Sequence, residues 1–174
     1  MGCIRIIKGD ICKMDVDAIV NAANTTLLGG GGVDGAIHRA AGPKLLEECR
    51  GFGGCETGEA RITAGYDLPA RHVIHTPGPV WKGGRNGEPR LLRASYANSM
   101  QLAADNGCKT VAFPSISTGV YGYPIDKAAR VALSAISAWT QRGDLEVTMV
   151  CHSDRDLAAY RNAAEDLGLE FLEN

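Results

Sequence analysis

The sequence predicts an α/β fold, a three-layer α/β/α sandwich with a mixed, mainly parallel central sheet. Three observations lead there. Short apolar runs alternate along the chain with longer segments whose apolar residues recur about every 3.6 positions. The runs "DAIV", "KTVAFPSI" and "EVTMVC" are apolar nearly throughout, the pattern of strands covered on both faces. Polar or glycine-rich stretches follow several runs, and in such folds ligands bind where strands end and helices begin.

The elements follow in order. "CIRIIKGDI" reads as a strand closing in a Gly-Asp turn, and "DVDAIVNAAN" as a buried strand with a polar end. After four glycines, residues 33–41 read as a short helix that Gly42 can close. Pro43 then opens a second helix, "PKLLEEC", where its missing N–H does no harm. "EARITAGY" and "RHVIHTPGP" are the next strands. "EPRLLRASYANSMQLAADNG" is a long helix, with Leu91, Leu92, Tyr96, Met100 and Ala103 on one face and Gly107 as its stop. "KTVAFPSI" is a buried strand, "STGVYGYP" a loop, and Pro124 starts the helix "PIDKAARVALSAISAWTQRG". "EVTMVCHS", "DRDLAAYRNAAEDLG" and "LEFLE" complete the series as strand, helix and last strand. The loop "WKGGRNGEP" is expected to be the most flexible segment.

The 174 residues suit one domain, spanning 1–174, with room for a core. Eighteen basic against twenty acidic residues leave a net charge of -2, so no broad positive field for non-specific nucleic-acid binding is present. A small anion held by backbone amides needs no such field. Six cysteines, several in apolar runs, with no secretory signal, point to free thiols in a reducing cytoplasm. The start "MGCIRI" superficially matches an acylation signal, but its sixth residue is Ile6 rather than Ser or Thr. No apolar run approaches the ~20 residues that span a bilayer.

The stretch "NTTLLGGGGVDGAIHRAAG", residues 24–42, carries the functional signal. Four consecutive glycines lose much backbone entropy on folding and pack nothing, which is tolerable where the main chain must come close to something. Gly30, Gly32 and Gly35 satisfy G-x-G-x-x-G, but the dinucleotide fingerprint follows its strand directly, and here "TTLL" intervenes. No P-loop, serine-hydrolase elbow, H-E-x-x-H or C-x-x-C occurs. His72 and His75, three apart on a strand, point to opposite faces, so no metal site is expected. Two glycine loops nonetheless run into helices, at Val33 and Pro124. Each alone reads as a tight turn; facing one cleft, their free N–H groups can hold a diphosphate without a lysine.

Four separated motifs, "GDI" at 9–11, "NAAN" at 21–24, "GGGVDGAIHRAAG" at 30–42 and "ISTGVYGYP" at 116–124, together resemble the macrodomain, and more narrowly its MacroD-type branch. The resemblance covers essentially the whole chain. It implies binding of ADP-ribose and hydrolysis of ADP-ribosyl esters, with O-acetyl-ADP-ribose or ADP-ribosylated protein carboxylates as substrates and no cofactor. By the same resemblance, Asp10 accepts from the adenine amine with Ile11 alongside. Ser117, Thr118, Gly119, Val120, Tyr121 and Gly122 wrap the diphosphate, with Gly32 and Val33 opposite. Tyr121 lies on the distal ribose, and Ala22 lines the pocket.

Asn24 and Asp34 are the residues implied for chemistry: an amide can orient ribose hydroxyls, and an aspartate near its reference value of ~3.9 can activate a water. Otherwise Asp34 merely caps its helix. His38, one helical turn later, supports it; Asn21 is expected to satisfy backbone groups under the loop. Where the family often has an aromatic residue after the penultimate strand, this chain has Cys151, His152 and Ser153, which leaves His152 to stack on adenine. Two alternatives stand beside this reading. One is a non-catalytic ADP-ribose-binding module, and the other a regulator that binds RNA or poly(ADP-ribose). No membrane partner is expected, and nucleic acid only as an ADP-ribosylated end.

Overall fold

The computed structural model describes residues 2–173, and no helix among them is long and apolar enough to cross a membrane. Six strands, β1 (Cys3–Lys8), β2 (Ala18–Ala23), β3 (Arg61–Ala64), β4 (His72–Pro77), β5 (Thr110–Phe113) and β6 (Glu146–Cys151), form one sheet. Its order is β1-β6-β5-β2-β4-β3, parallel throughout except for the antiparallel edge strand β3. The helices are α1 (Gly32–Ala41), α2 (Pro43–Arg50), α3 (Glu88–Asp105), α4 (Ile125–Thr140) and α5 (Asp154–Asp166).

Strand alternation divides the apolar residues between two cores. Val20, Ile74, Val111, Phe113, Val147 and Met149 meet α3, α4 and α5, which contribute Leu92, Tyr96, Met100, Leu133, Ile136 and Tyr160. Their strand neighbours Ile19, Val73, Ala112 and Val150 meet α1 and α2 through Ile37, Ala41, Leu45 and Cys49. Both faces of the sheet are therefore covered, as the continuous apolar runs predict. Burial of each large aliphatic side chain contributes about 1.5–3 kcal/mol, so the two cores dominate stability. The expected layers are thus observed, and Leu92, Tyr96, Met100 and Ala103 all lie on the inner face of α3.

Three details depart from the sequence reading. "LEFLE" is no strand: it meets β1 through a single parallel bridge, Arg5 to Leu172, with Leu172 N–H donating to Ile4 O and its carbonyl accepting from Ile6 N–H. A short 3-10 turn, Ile11–Lys13, follows β1, with Asp10 as its N-cap accepting from Cys12 N–H at 3.0 Å. The glycine-rich loop before α3 is pinned rather than loose. Glu88, 2% exposed, accepts from the backbone N–H groups of Lys82, Gly84 and Asn86 at 2.8, 2.9 and 2.6 Å. Burial pushes its carboxyl up, but these donors outweigh it and hold it at about 2.

Leu133→Ala, at a fully buried position in the thicker core, is expected to cost about 2–5 kcal/mol. The urea midpoint should fall with the slope unchanged.

Candidate functional site

The strands β1, β6, β5 and β2 lie side by side and parallel, so their carboxyl ends open on one edge. Asp10 and Ile11 follow β1, His152 follows β6, residues 117–122 follow β5, and residues 24–33 follow β2. The topology thus brings together the four loops that sequence reading assigned to one site.

The glycine run divides by physical role. Gly29 and Gly32 have φ of +87° and +58°, a region that glycine enters without strain. A Cβ on Gly30 would sit 3.1 Å from Asp34 Oδ2 and 3.4 Å from Asn24 Nδ2, so Gly30 lets those two side chains close around it. Gly31 is required by neither cause. At Gly31 and Gly32 a Cβ would meet nothing within 4 Å, so this part of the loop stands open beside the first-turn N–H groups of α1, which a helix leaves without internal partners. Gly35 must be small for packing: its Cβ would lie 2.5 Å from the Gly30 carbonyl oxygen.

Asp34 lies in the first turn of α1 and is 6% exposed. Its Oδ1 accepts from Asn21 Nδ2 at 2.8 Å, and His38 Nε2 stands 3.5 Å away. The N-cap is Gly31, and Asp34 bonds to the strand β2 rather than capping its helix. Burial raises its carboxyl above the ordinary range, and Asn21 and His38 pull it partway back, which corrects the expectation of an unperturbed aspartate. Asn21 also departs from expectation. Its amide bonds to the side chains of Asp34 and His75, not to loop backbone.

Asn24 closes its own loop. Nδ2 donates to Gly29 O at 2.8 Å, and Oδ1 accepts from the N–H and hydroxyl of Thr26. In the loop after β5, Ser117 takes a φ of +68° and Tyr123 N–H donates to its carbonyl at 3.0 Å. Among the described residues, the N–H groups of Gly119, Val120 and Tyr121 meet no acceptor. The Val120 side chain is fully exposed, and Thr118 Oγ1 donates to the carbonyl and hydroxyl of Ser115. The Tyr121 carbonyl accepts from Trp81 N–H at 2.8 Å; the Trp81 ring packs on Tyr123, its centroid 4.6 Å away, with Lys127 Nζ 5.5 Å above it. His152 is exposed, 3.5 Å from Asp156 Oδ2. Ala22 pairs with Thr76 on β4.

Sequence reading missed four contributors. Gly78, just beyond β4, leaves room that a Cβ would deny to Ser117 Oγ and Ile116 Cγ2. Trp81 and Glu88 join the helix α3 to the loop after β5. His75 is fully buried beneath α1, and burial holds its imidazole near about 3, hence neutral. One ligand-type atom each from His38, Cys49 and His75 lies within 4.8 Å of the others, the set a metal ion would use. Burial pushes the Cys49 thiol up to about 11. No spacing motif links positions 38, 49 and 75, and only the fold assembles them. All six cysteines are free.

Fold and site together define an α/β domain whose candidate site is built from main-chain donors and one buried carboxylate at the carboxyl edge of the sheet. The Macro domain family model matches residues 20–132, and the chain belongs to that family. It is 61% identical over 162 residues to Macro domain-containing protein CT2219 of Chlorobaculum tepidum, covering 92% of this chain and 94% of that one. It is 52% identical over 172 residues to a protein of Enterobacter sp. (strain 638) named O-acetyl-ADP-ribose deacetylase, covering 95% and 96% of the two chains. Among solved structures, a glycine-to-valine variant of the Oceanobacillus iheyensis macrodomain with ADPR superposes with a TM-score of 0.89 at 45% identity, over 93% of this chain and 91% of that one.

Two predictions test this geometry. Gly31→Ala should change stability by less than about 0.5 kcal/mol, whereas Gly35→Ala should cost about 1–3 kcal/mol through its clash with the Gly30 carbonyl; thermal unfolding of both variants checks it. Because His75 is held neutral in the fold while the unfolded chain protonates near ~6.5, the unfolded state binds more protons between those values. Its stability contribution is full above ~6.5 and falls as pH drops toward about 3. Urea midpoints measured across that window should show the slope, and His75→Asn should flatten it.

Proposed function

We propose that the chain binds ADP-ribose and hydrolyses ADP-ribosyl esters, O-acetyl-ADP-ribose and ADP-ribose carried on protein carboxylates. The observation that carries this reading is a buried, donor-held carboxylate, Asp34, under a glycine loop that leaves main-chain N–H groups open on the same edge. The diphosphate lies between the amides of Gly32 and Val33 and those of Ser117 to Tyr121, which complement its charge without basic side chains, while Gly122 N–H donates to the Gly119 carbonyl and closes the loop. Asp10 and Ile11, with His152 across the β1–β6 edge, border the adenine; Ala22, Asn24 and Tyr121 border the distal ribose. The names of the Enterobacter and Oceanobacillus proteins support the ligand class and the reaction.

In the reaction a water oxygen attacks the acyl carbonyl carbon, and the bond from that carbon to the ribose oxygen breaks. Acetate or a free protein carboxylate leaves, with ADP-ribose as the other product. The water's proton passes to Asp34 or to a substrate phosphate oxygen, and from there to the departing ribose oxygen, which leaves as the hydroxyl. The desolvation that raises Asp34 makes it a stronger base than a surface aspartate, suited to the first route. Main-chain donors position the diphosphate beside its nucleophile, so the proposed route needs no metal.

The test measures release of ADP-ribose from O-acetyl-ADP-ribose with chelator present, alongside ADP-ribose binding by calorimetry. Asp34→Ala should lower kcat by roughly 100-fold or more while ADP-ribose affinity changes only a few-fold. Binding without turnover in the unaltered chain would make it a reader rather than a hydrolase.

A further inference from the structure

We propose that His75 is a positioning residue for Asp34, acting through the Asn21 amide as part of a directed hydrogen-bond chain that crosses the sheet from β3 to α1. The inference rests on the reading of Asp34 as the group that acts on the attacking water.

Asn21 and His75 are register partners on the parallel pair β2 and β4, and Thr63 sits on β3 opposite Val73, two register positions from His75 and on the same face. All three are buried on the face covered by α1 and α2. An ionised carboxylate only accepts hydrogen bonds, so the Asn21 atom 2.8 Å from Asp34 Oδ1 is the amide nitrogen. That same nitrogen lies 3.1 Å from His75 Nδ1 and donates its second proton there. Nδ1 is then the acceptor, and the single ring proton of the neutral imidazole is on Nε2. Nε2 faces Thr63 Oγ1 at 3.0 Å, and the threonine hydroxyl passes its own proton to the carbonyl of Ala64 or Val73, at 3.1 and 3.4 Å. Each link has one consistent direction.

The Asn21 carbonyl oxygen has no partner among the described residues. Nothing therefore fixes the amide from that side, and its rotation is set by its two acceptors, Asp34 and His75. Removing the His75 acceptor leaves the amide free to turn away from the carboxylate. Other charged or titratable groups near this chain are His38 from α1, with its ring centroid 6.2 Å from that of His75, Cys49 from α2, with Sγ 3.7 Å from His75 Nε2, His72 from β4, with Nδ1 3.3 Å from the Thr63 carbonyl oxygen, and Glu48 from α2, whose carboxylate accepts from Ala64 N–H at 3.1 Å.

Two substitutions separate this role from simple packing, because both delete the ring. Asparagine at 75 places an acceptor where Nδ1 stands; glutamine reaches the Nε2 position instead. His75→Asn should keep kcat for O-acetyl-ADP-ribose within about threefold, and His75→Gln should lower it roughly tenfold or more, with KM and ADP-ribose affinity little changed in both. The acid limb of the kcat profile should move to higher pH in His75→Gln alone, and the carbon-13 titration of the Asp34 carboxyl should move with it.

Equal losses in the two variants, or no loss in either, would overturn the proposal. Should His75→Gln not fold, Thr63→Val keeps the ring and removes the Nε2–H acceptor; it should shift the Asp34 titration upward, and an unmoved titration would equally overturn the idea. If the unaltered chain hydrolyses no ADP-ribosyl ester, the functional reading fails, while the Asp34 titration in the same variants still decides the positioning role.

Discussion

A carboxylate taken out of water must be met by donors or it takes up a proton, and the site is organised around satisfying Asp34. Its helix starts at Gly32, which sets the carboxylate against β2 rather than in solvent. Gly30 has no side chain, and so the loop can fold over that carboxylate. Asn21 meets it from below because β2 and β4 pair in the one register that places Asn21 beside His75. A single-residue slip would turn Asn21 to the other face of the sheet and leave Asp34 without its 2.8 Å donor.

The two faces of the sheet are correspondingly unequal. Beneath α3, α4 and α5 the packing is aliphatic and aromatic, with Tyr96 and Tyr160 bonding to each other and to the turn after β5. Beneath α1 and α2 a group of polar side chains replaces part of the core. Burial of a polar set stabilises a fold no better than apolar residues of the same shape. Stability alone does not account for its presence, whereas the proposed role of Asp34 does.

Much of this was legible in the chain. The buried runs gave the parallel sheet, and Pro43, Gly42 and Pro124 marked helix ends because their backbone preferences are local. The loops at 10–11, 24–34 and 117–122 could be placed on one edge from topology alone. What stayed hidden depends on contacts between distant positions. Asn21 was read as a loop support because its partners lie 13 and 54 residues away. "LEFLE" has a strand's composition, yet only one bridge forms beside β1. "WKGGRNGEP" has a flexible loop's composition, but its own Glu88 collects the amides of Lys82, Gly84 and Asn86. Asp34 was visible as a residue, though its elevated carboxyl follows from burial that no local pattern announces.

The narrow space between Gly78 and Ser117 has a consequence for redesign. Two segments nearly forty positions apart share one volume, so variation in one is conditional on the other. A library that diversifies residues 117–122 to alter ligand preference can be sampled fully only with glycine retained at 78. Randomising both together would fill the pool mostly with sequences in which the turn after β5 has lost its shape.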